Sequence, residues 1–392
     1  MKPRAISDRV LAGGAIDWDR RLFDSLIPLP DGTSYNAYLV QGSEKSALLD
    51  TVDPTKRDEL MSQLAGIERI DFVISHHAEQ DHSGAIPDVL AKYPQAKVVA
   101  STKAKGMLLD LLEGISEDRV ITVEDGEELS LGDKTLRFVY MPWVHWPETM
   151  ITYLLQDRIL FTCDLFGSHL ATSDLYADEA RVYEPAKRYY AEIMMPFRRA
   201  IARHLERVRQ IAPAVIAPSH GPVYRRPAFI IDAYDEWVSA PPRNRVIVPY
   251  ITMHGSTARM VEHFVGALME RGVEVEQFNL ASADIGKLAV SLVDAATIAV
   301  GTPTVLGGPH PTVLAAAQLA AVLNPKLRFA AVFGSYGWGG KAAEQVAAIV
   351  ERADIEILAP VLCKGIPREA DFVALESLAE TIAVKHREQG FA

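Results

Sequence analysis

From Phe72 to Gly84 the chain reads Phe-Val-Ile-Ser-His-His-Ala-Glu-Gln-Asp-His-Ser-Gly, and this run constrains the fold more than any other stretch. Residues 72–77 predict a short buried strand, apolar and partly β-branched. Directly behind it stand His77, Glu79, Asp81 and His82, all within six residues. Open α/β sheets bind ligands at the carboxyl ends of their strands, and this strand ends in metal-capable side chains. A lone histidine pair in a polar turn needs no explanation beyond solvation. Four ligand-type groups at this spacing do.

More such residues follow other predicted strands. The N-terminal half reads as strands at 35–41 and 46–51, a helix near 54–66, an αβ unit over 85–102, and strands at 136–141, 158–162 and 214–217. That alternation implies a layered α/β domain. His145 lies in Trp143-Val144-His145-Trp146-Pro147, Asp164 follows Thr162-Cys163, and His220 sits in Pro218-Ser219-His220-Gly221. Each has a dull alternative as a packed ring, a turn former or a loop residue. All three, however, stand just past a predicted strand, as His77 does. Four imidazoles and three carboxylates exceed the needs of one ion and suggest a binuclear site, with Asp164 as the natural bridge. Strand alternation turns Cys163 away from its neighbour Asp164, so Cys163 is expected in the core.

The two prolines of residues 235–245 mark a boundary, giving domains at 1–242 and 243–392. Beyond it a strand at 246–251 leads into Thr252-Met253-His254-Gly255-Ser256-Thr257 and a helix over 257–271 closed by Gly272. A hydroxyl-rich loop at a helix N-terminus is a ready anion site. It lacks both the Gly-x-x-x-x-Gly-Lys and the Gly-x-Gly-x-x-Gly patterns. A phosphate monoester held by amides and hydroxyls fits better. A strand at 297–301 ends in Thr302, Pro303, Thr304, Val305, Leu306, Gly307 and Gly308. Another at 327–333 ends in Gly334, Ser335, Tyr336, Gly337, Trp338, Gly339 and Gly340, before a helix at 341–352. Three such loops suit a phosphate, a ribityl chain and a flat ring, and Trp338 between glycines is expected to be exposed.

Composition closes off other classes. At 392 residues the chain has room for two or three domains, with 49% apolar and 23% charged residues, as in soluble globular proteins. A net charge of −11 argues against nucleic acid, whose phosphates demand clustered Lys and Arg. Two cysteines, no apolar leader and no long uncharged run predict a soluble protein of a reducing cytoplasm, with no membrane partner.

The pattern His77-x-Glu79-x-Asp81-His82 resembles the metallo-β-lactamase signature with one change. Zinc hydrolases of that superfamily usually carry histidine where this chain has Glu79, and the added carboxylate shifts preference from zinc towards iron or manganese. The second half resembles flavodoxin. The combination, over about residues 5–390, resembles the flavodiiron proteins, or A-type flavoproteins. The expected fold is therefore α/β: an N-terminal metallo-β-lactamase-like αββα sandwich followed by a flavodoxin-like, doubly wound parallel sheet. The resemblance implies one iron held by His77, Glu79 and His145 and another by Asp81 and His220, with Asp164 bridging. His82 has an equivalent that turns away in some relatives. It implies FMN in the three C-terminal loops, with His254 standing where relatives often have an aromatic residue. It also implies reduction of dioxygen to water, of nitric oxide to nitrous oxide, or both, in a head-to-tail homodimer or a dimer of dimers. With no rubredoxin or flavin-reductase extension and no Cys-x-x-Cys pair, electrons are expected from a separate donor such as rubredoxin or a reduced deazaflavin. Tyr189 or Tyr190, in Lys187-Arg188-Tyr189-Tyr190, is expected either to donate a hydrogen bond near the substrate or to pack in the core. The rival reading is a dinuclear zinc hydrolase with an appended flavodoxin domain.

Overall fold

The computed structural model describes residues 2–239, 241–352 and 354–391. Its chain divides into two compact units, residues 1–238 and 239–392.

The first unit is built on two sheets. One has seven strands in the order Arg4–Ser7, Val10–Asp17, Thr33–Gln41, Ser46–Leu49, Phe72–Ile74, Lys97–Ser101 and Val120–Val123. The first four pair antiparallel and the rest are parallel. The other has five strands, Glu128–Ser130, Thr135–Tyr140, Met150–Leu154, Ile159–Cys163 and Val215–Pro218, of which only the last pair is parallel. Period-2 patterning decides what each face meets. Tyr38, Val40, Leu49, Ile74 and Val99 join Leu136, Phe138, Leu154 and Phe161 in one apolar cluster, so the sheets pack face to face. Their strand neighbours Leu39, Leu48, Val73 and Val98 point the other way. There they pack on Leu60, Ile86, Val89 and Leu108 of the helices Arg57–Gln63, Ile86–Lys92 and Thr102–Leu111. Each fully buried aliphatic side chain contributes roughly 1.5–3 kcal/mol, so these stripes fix the layering. Helices Glu179–Tyr189, Arg198–Ile211 and Pro227–Ser239 complete an αββα sandwich.

Some element ends differ from expectation. The strand expected over 72–77 stops at Ile74, because the backbone N–H of His76 turns to the Asp50 carboxylate (2.9 Å). The helix expected at 54–66 is a single α segment, Arg57–Gln63, between two 3-10 turns.

The second unit is a doubly wound parallel sheet. Its order is Glu274–Asn279, Arg243–Tyr250, Ala295–Val305 and Phe329–Tyr336, with Glu356–Ile357 and Val361–Lys364 sharing the last edge. This is the 2-1-3-4-5 order of flavodoxin-like folds, whose ligand site lies at the carboxyl ends beside the first and third strands. Residues expected as loops at 302–305 and 334–336 remain in strands. Thr304 and Val305 pair with Gly308 and Pro309 in a tight hairpin, and Gly334–Tyr336 pair with the edge strand.

A candidate binuclear metal centre and a candidate flavin loop cluster

Beyond Ile74 the backbone leaves the sheet, and Asp50 controls how it leaves. The carboxylate accepts from the His76 backbone and from His76 Nδ1 (2.6 Å), while Thr152 donates to His76 Nε2 (2.7 Å). His76 is thereby committed to the sheet interface and His77 is thrown to the opposite side. A single helical turn, Gln80–Ser83, follows with Glu79 at its N-cap. It carries Asp81 and His82 round to the same side as His77.

Seven side chains converge there in two groups. His77 Nε2 and His145 Nε2 lie 3.0 and 3.2 Å from Glu79 Oε2. His220 Nε2 and His82 Nε2 lie 3.2 and 3.3 Å from the two oxygens of Asp81. Asp164 stands between them with its oxygens divided. Oδ2 is 3.7 Å from both His77 and His145, and Oδ1 is 3.1 Å from His82 and 3.4 Å from His220. His77–Glu79–His145 and Asp81–His82–His220 are each compact enough to hold an ion.

The donor set fits cations. Both oxygens of Asp81 and Oδ2 of Asp164 are buried and accept no hydrogen bond. Burying carboxylate oxygens without partners is costly, and bound metal removes that cost. The imidazole charges report the same imbalance. Burial alone would lower His77, but hydrogen bonds to Glu148 and Glu79 and the charge of Asp164 push it up to about 9. His82 likewise rises to about 9 against burial, through Asp164 and Asp81, and His220 to about 10. Burial would raise Asp164, yet the facing imidazoles hold it well below its ordinary range. Without metal, the pocket recruits protons as counter-charge.

Outer contacts orient the rings. His77 Nδ1 donates to Glu148 Oε1 (2.7 Å), which also accepts from the Ala78 backbone, and His220 Nδ1 donates to the Ser34 carbonyl (2.7 Å). These bonds fix the tautomers that present Nε2 lone pairs inward. His82 also faces inward, with the Cys163 sulfur 3.9 Å from its Nδ1. Cys163 is buried, as expected, yet it touches this ring from behind.

Tyr189 and Tyr190 separate cleanly. A five-residue π-turn, Tyr190–Met194, interrupts the helical run after Tyr189. Tyr189 donates its hydroxyl to Asp164 Oδ1 (2.8 Å). Tyr190 donates to the Trp237 carbonyl and packs on Tyr234 and Trp237, so of the two it takes the packing place in the helical core. Sequence reasoning also gave no role to Glu148, Asp50, Asp24 and Glu192. Glu148 had a signal, three residues past His145 in the same polar tract. The others had none, because their positions depend on turns.

The cavity over the cluster, about 140 Å³, is walled opposite the candidate ligands by Phe23, Asp24, Ile27, Tyr189, Glu192 and Ile193. Phe23 and Asp24 also border a wider hollow of about 410 Å³ with Arg20, Leu111 and Trp146.

In the second unit Thr252 Oγ accepts from the backbone of Gly255 (3.1 Å) and Ala258 (3.4 Å), curling the loop onto the helix Ser256–Glu270. Gly255 has a φ of +87° and open space where a side chain would stand. The Thr257 hydroxyl is buried with no hydrogen-bond partner. An orphaned hydroxyl in a helix-start loop is what a phosphate oxygen would satisfy. The other two loops are stitched together, Lys341 N–H donating to the Gly307 carbonyl (2.9 Å). Gly340, at φ +147°, has no room for a Cβ, which would meet Thr304 Cγ2 at 2.6 Å. Trp338 is 89% exposed, and Met253 and Leu306 are also exposed.

Residues 33–221 match the model of the ODP family beta lactamase. A nitric oxide reductase of Moorella thermoacetica is 34% identical over 98% of this chain and 99% of its own length. A coenzyme F420H(2) oxidase of Methanothermobacter marburgensis is 35% identical over 90% of this chain and 91% of its own. Among solved structures, the rubredoxin oxygen:oxidoreductase of Desulfovibrio gigas superposes with a TM-score of 0.95 at 29% identity, covering 100% of both chains. The flavodiiron protein of Giardia intestinalis gives 0.89 at 27% identity, over 99% of this chain and 98% of its own.

The chain belongs to the flavodiiron family. The cofactors of a flavodiiron protein are FMN and a pair of non-haem irons. The metal pocket and the hydroxyl-lined loop are chemically matched to those two groups. The zinc hydrolase reading is set aside, since the flavodiiron relatives that align over nearly the whole chain are named as oxidoreductases.

Proposed function

We propose that this flavodiiron protein reduces dioxygen, nitric oxide or both in the cavity over the cluster of His77, Glu79, Asp81, His82, His145, Asp164 and His220. The carrying observation is Asp164, whose two oxygens are shared between two His/carboxylate groups. In this reading His77, Glu79 and His145 hold one iron, Asp81, His82 and His220 the other, and Asp164 bridges. When bound there, the iron pair would supply the redox chemistry at the gas, and FMN would supply electrons to it.

The protein's own part is positioning and enclosure. Glu148 and the Ser34 carbonyl hold His77 and His220 in their metal-facing tautomers. Tyr189 keeps a hydroxyl on the bridging carboxylate. Phe23, Ile27 and Ile193 form apolar wall between the cluster and solvent, which suits an uncharged diatomic substrate. In the second unit Thr252, Met253, His254, Gly255, Ser256 and Thr257 would take the FMN phosphate. Pro303, Thr304, Val305, Gly307, Ser335, Tyr336, Gly337, Trp338 and Gly339 would line its ribityl chain and ring.

Electrons come from a separate donor. The names of relatives offer rubredoxin and a reduced deazaflavin such as coenzyme F420 as alternatives. A head-to-tail homodimer would let the flavin of one subunit serve the irons of another. No helix among the described residues is long and apolar enough to cross a membrane, and both cysteines are free, which supports a cytoplasmic place.

The test is metal and flavin content of protein purified without supplements, followed by anaerobic consumption assays with each gas. Two irons and one FMN per chain, with turnover of dioxygen or nitric oxide, are the expected result. Zinc in place of iron after iron reconstitution, with no gas consumed, would overturn the assignment.

A further inference from the structure

The cavity wall opposite the candidate ligands contains a charge that the metal chemistry does not require. Glu192 lies inside the π-turn Tyr190–Met194, and its side chain is only 6% exposed. Residues three apart share a helix face, so Tyr189 and Glu192 border the same cavity while Tyr190, one position round, turns to the core. The run carrying Glu192 is a π-turn, and such turns recur at functional sites. Arg188, itself 10% exposed, meets Glu192 Oε1 at 3.1 Å. Glu192 borders the cavity and Arg188 does not, so the space over the metals faces a carboxylate backed by a guanidinium. Beyond the metal ligands, the cavity's remaining ionisable border is Asp24 and Tyr189, and no lysine or arginine borders it among the described residues.

A metal pair held by three carboxylates has a positive excess, larger once both irons are ferric. An open, positively charged metal pair in an enclosed space attracts small anions. Dioxygen and nitric oxide are uncharged and gain nothing from that field.

We propose that Glu192, held by Arg188, is a specificity-determining residue that disfavours anionic ligands over the metal pair while leaving uncharged diatomic substrates unaffected. The inference rests on the reading of this cavity as the substrate chamber. The carboxylate is the end of the ion pair that faces the chamber and opposes an anion there; removing its charge leaves that of Arg188 uncompensated, and one charge several ångströms away changes affinity about tenfold.

Azide is the probe, titrated calorimetrically into oxidised holoenzyme and compared with the KM for dioxygen or nitric oxide, whichever is turned over. Glu192→Gln keeps the shape and the oxygen facing Arg188 but removes the charge. Glu192→Asp keeps the charge on a shorter stem. The expected result is azide binding about tenfold tighter in Glu192→Gln, wild-type affinity within twofold in Glu192→Asp, and an unchanged gas KM in both. Azide affinity within twofold of wild type in iron- and FMN-replete Glu192→Gln would overturn the inference, as would equal tightening in both variants. If Glu192→Gln does not fold, weakened rather than wild-type azide binding in Glu192→Asp decides against it. Wild-type protein that holds no iron pair or consumes neither gas would instead defeat the underlying functional reading, and the inference with it.

Discussion

The metal pocket and the flavin loops solve opposite binding problems with opposite materials. The pocket, as proposed, would recognise its guests through side chains: seven ligand-type groups, five of them buried, with His77, His220 and Asp164 each met by an outer hydrogen bond. The loops work chiefly through backbone, with Gly255, Gly307 and Gly339 at positive φ and one orphaned hydroxyl at Thr257. Their large apolar side chains stay exposed. Removing a guest therefore has different consequences. An empty metal pocket is left with unpaired buried carboxylates. An empty flavin loop is left mainly with solvated amides.

The largest effect should come from the group shared by both metal positions. Asp164→Ala should lose more than nine-tenths of its iron and essentially all gas consumption while keeping FMN, measured by iron assay and flavin absorbance. Full iron content in that variant would break the contrast, since the pocket would not depend on its side chains. Next, Glu148→Gln should weaken metal binding roughly 10–100-fold, the usual cost of losing a carboxylate that orients a metal-bound histidine. Equilibrium dialysis against a chelator would read it, and FMN affinity should not move.

The same contrast explains what was legible in the sequence. His77, Glu79, Asp81, His82, His145, Asp164 and His220 could be picked out as a candidate set, which the structure brings together, because metal binding needs particular residue types and strand patterning located the strand ends where they sit. The alternation of strands and helices gave both α/β layers for the same reason. Glu192 was invisible, because nothing in Tyr189-Tyr190-Ala191-Glu192 announces which face of the run meets Asp164. The strand expected to run to His77 ends at Ile74 because Asp50, far away in sequence, captures His76. Such endings belong to tertiary pairing, and local propensity does not contain them.

Acidity should separate the two regions further. His77, His82 and His220 are raised to about 9 or 10 in the metal-free fold, from an ordinary value near 6.5. A histidine raised on folding adds stability that is fully present below its unfolded pKa and lost as pH rises through the folded one. Metal-free protein should therefore lose several degrees of Tm between about pH 7 and 10, and iron-loaded protein should not. Metal binding must expel those protons, so apparent affinity should rise over the same interval. A metal-free Tm independent of pH would show that the carboxylates are not balanced by imidazolium. On the flavin side, Thr257→Val should weaken FMN about tenfold, as loss of a hydrogen bond to a charged phosphate does. Iron content should stay unchanged, and the pair of outcomes would sharpen the division between the regions.

The smallest effect is expected at Trp338, and it tests the contrast from its weaker side. An indole 89% exposed, between glycines, makes little contact with the sheet beneath it. In flavin-free protein, Trp338→Ala should change stability by no more than about 0.5 kcal/mol in urea unfolding, as for other surface positions. Its value lies in the bound state. An exposed aromatic beside two loops joined through Gly307 and Lys341 can cover a flat ring at little conformational cost. FMN affinity should then fall a few-fold, about 0.5–1.5 kcal/mol, the ordinary contribution of an aromatic pair. A stability loss in the flavin-free protein comparable to that of a core aromatic would mean that Trp338 belongs to the apolar core. The loops would then be packed like the metal pocket, by side chains, and the backbone account of flavin binding would fail.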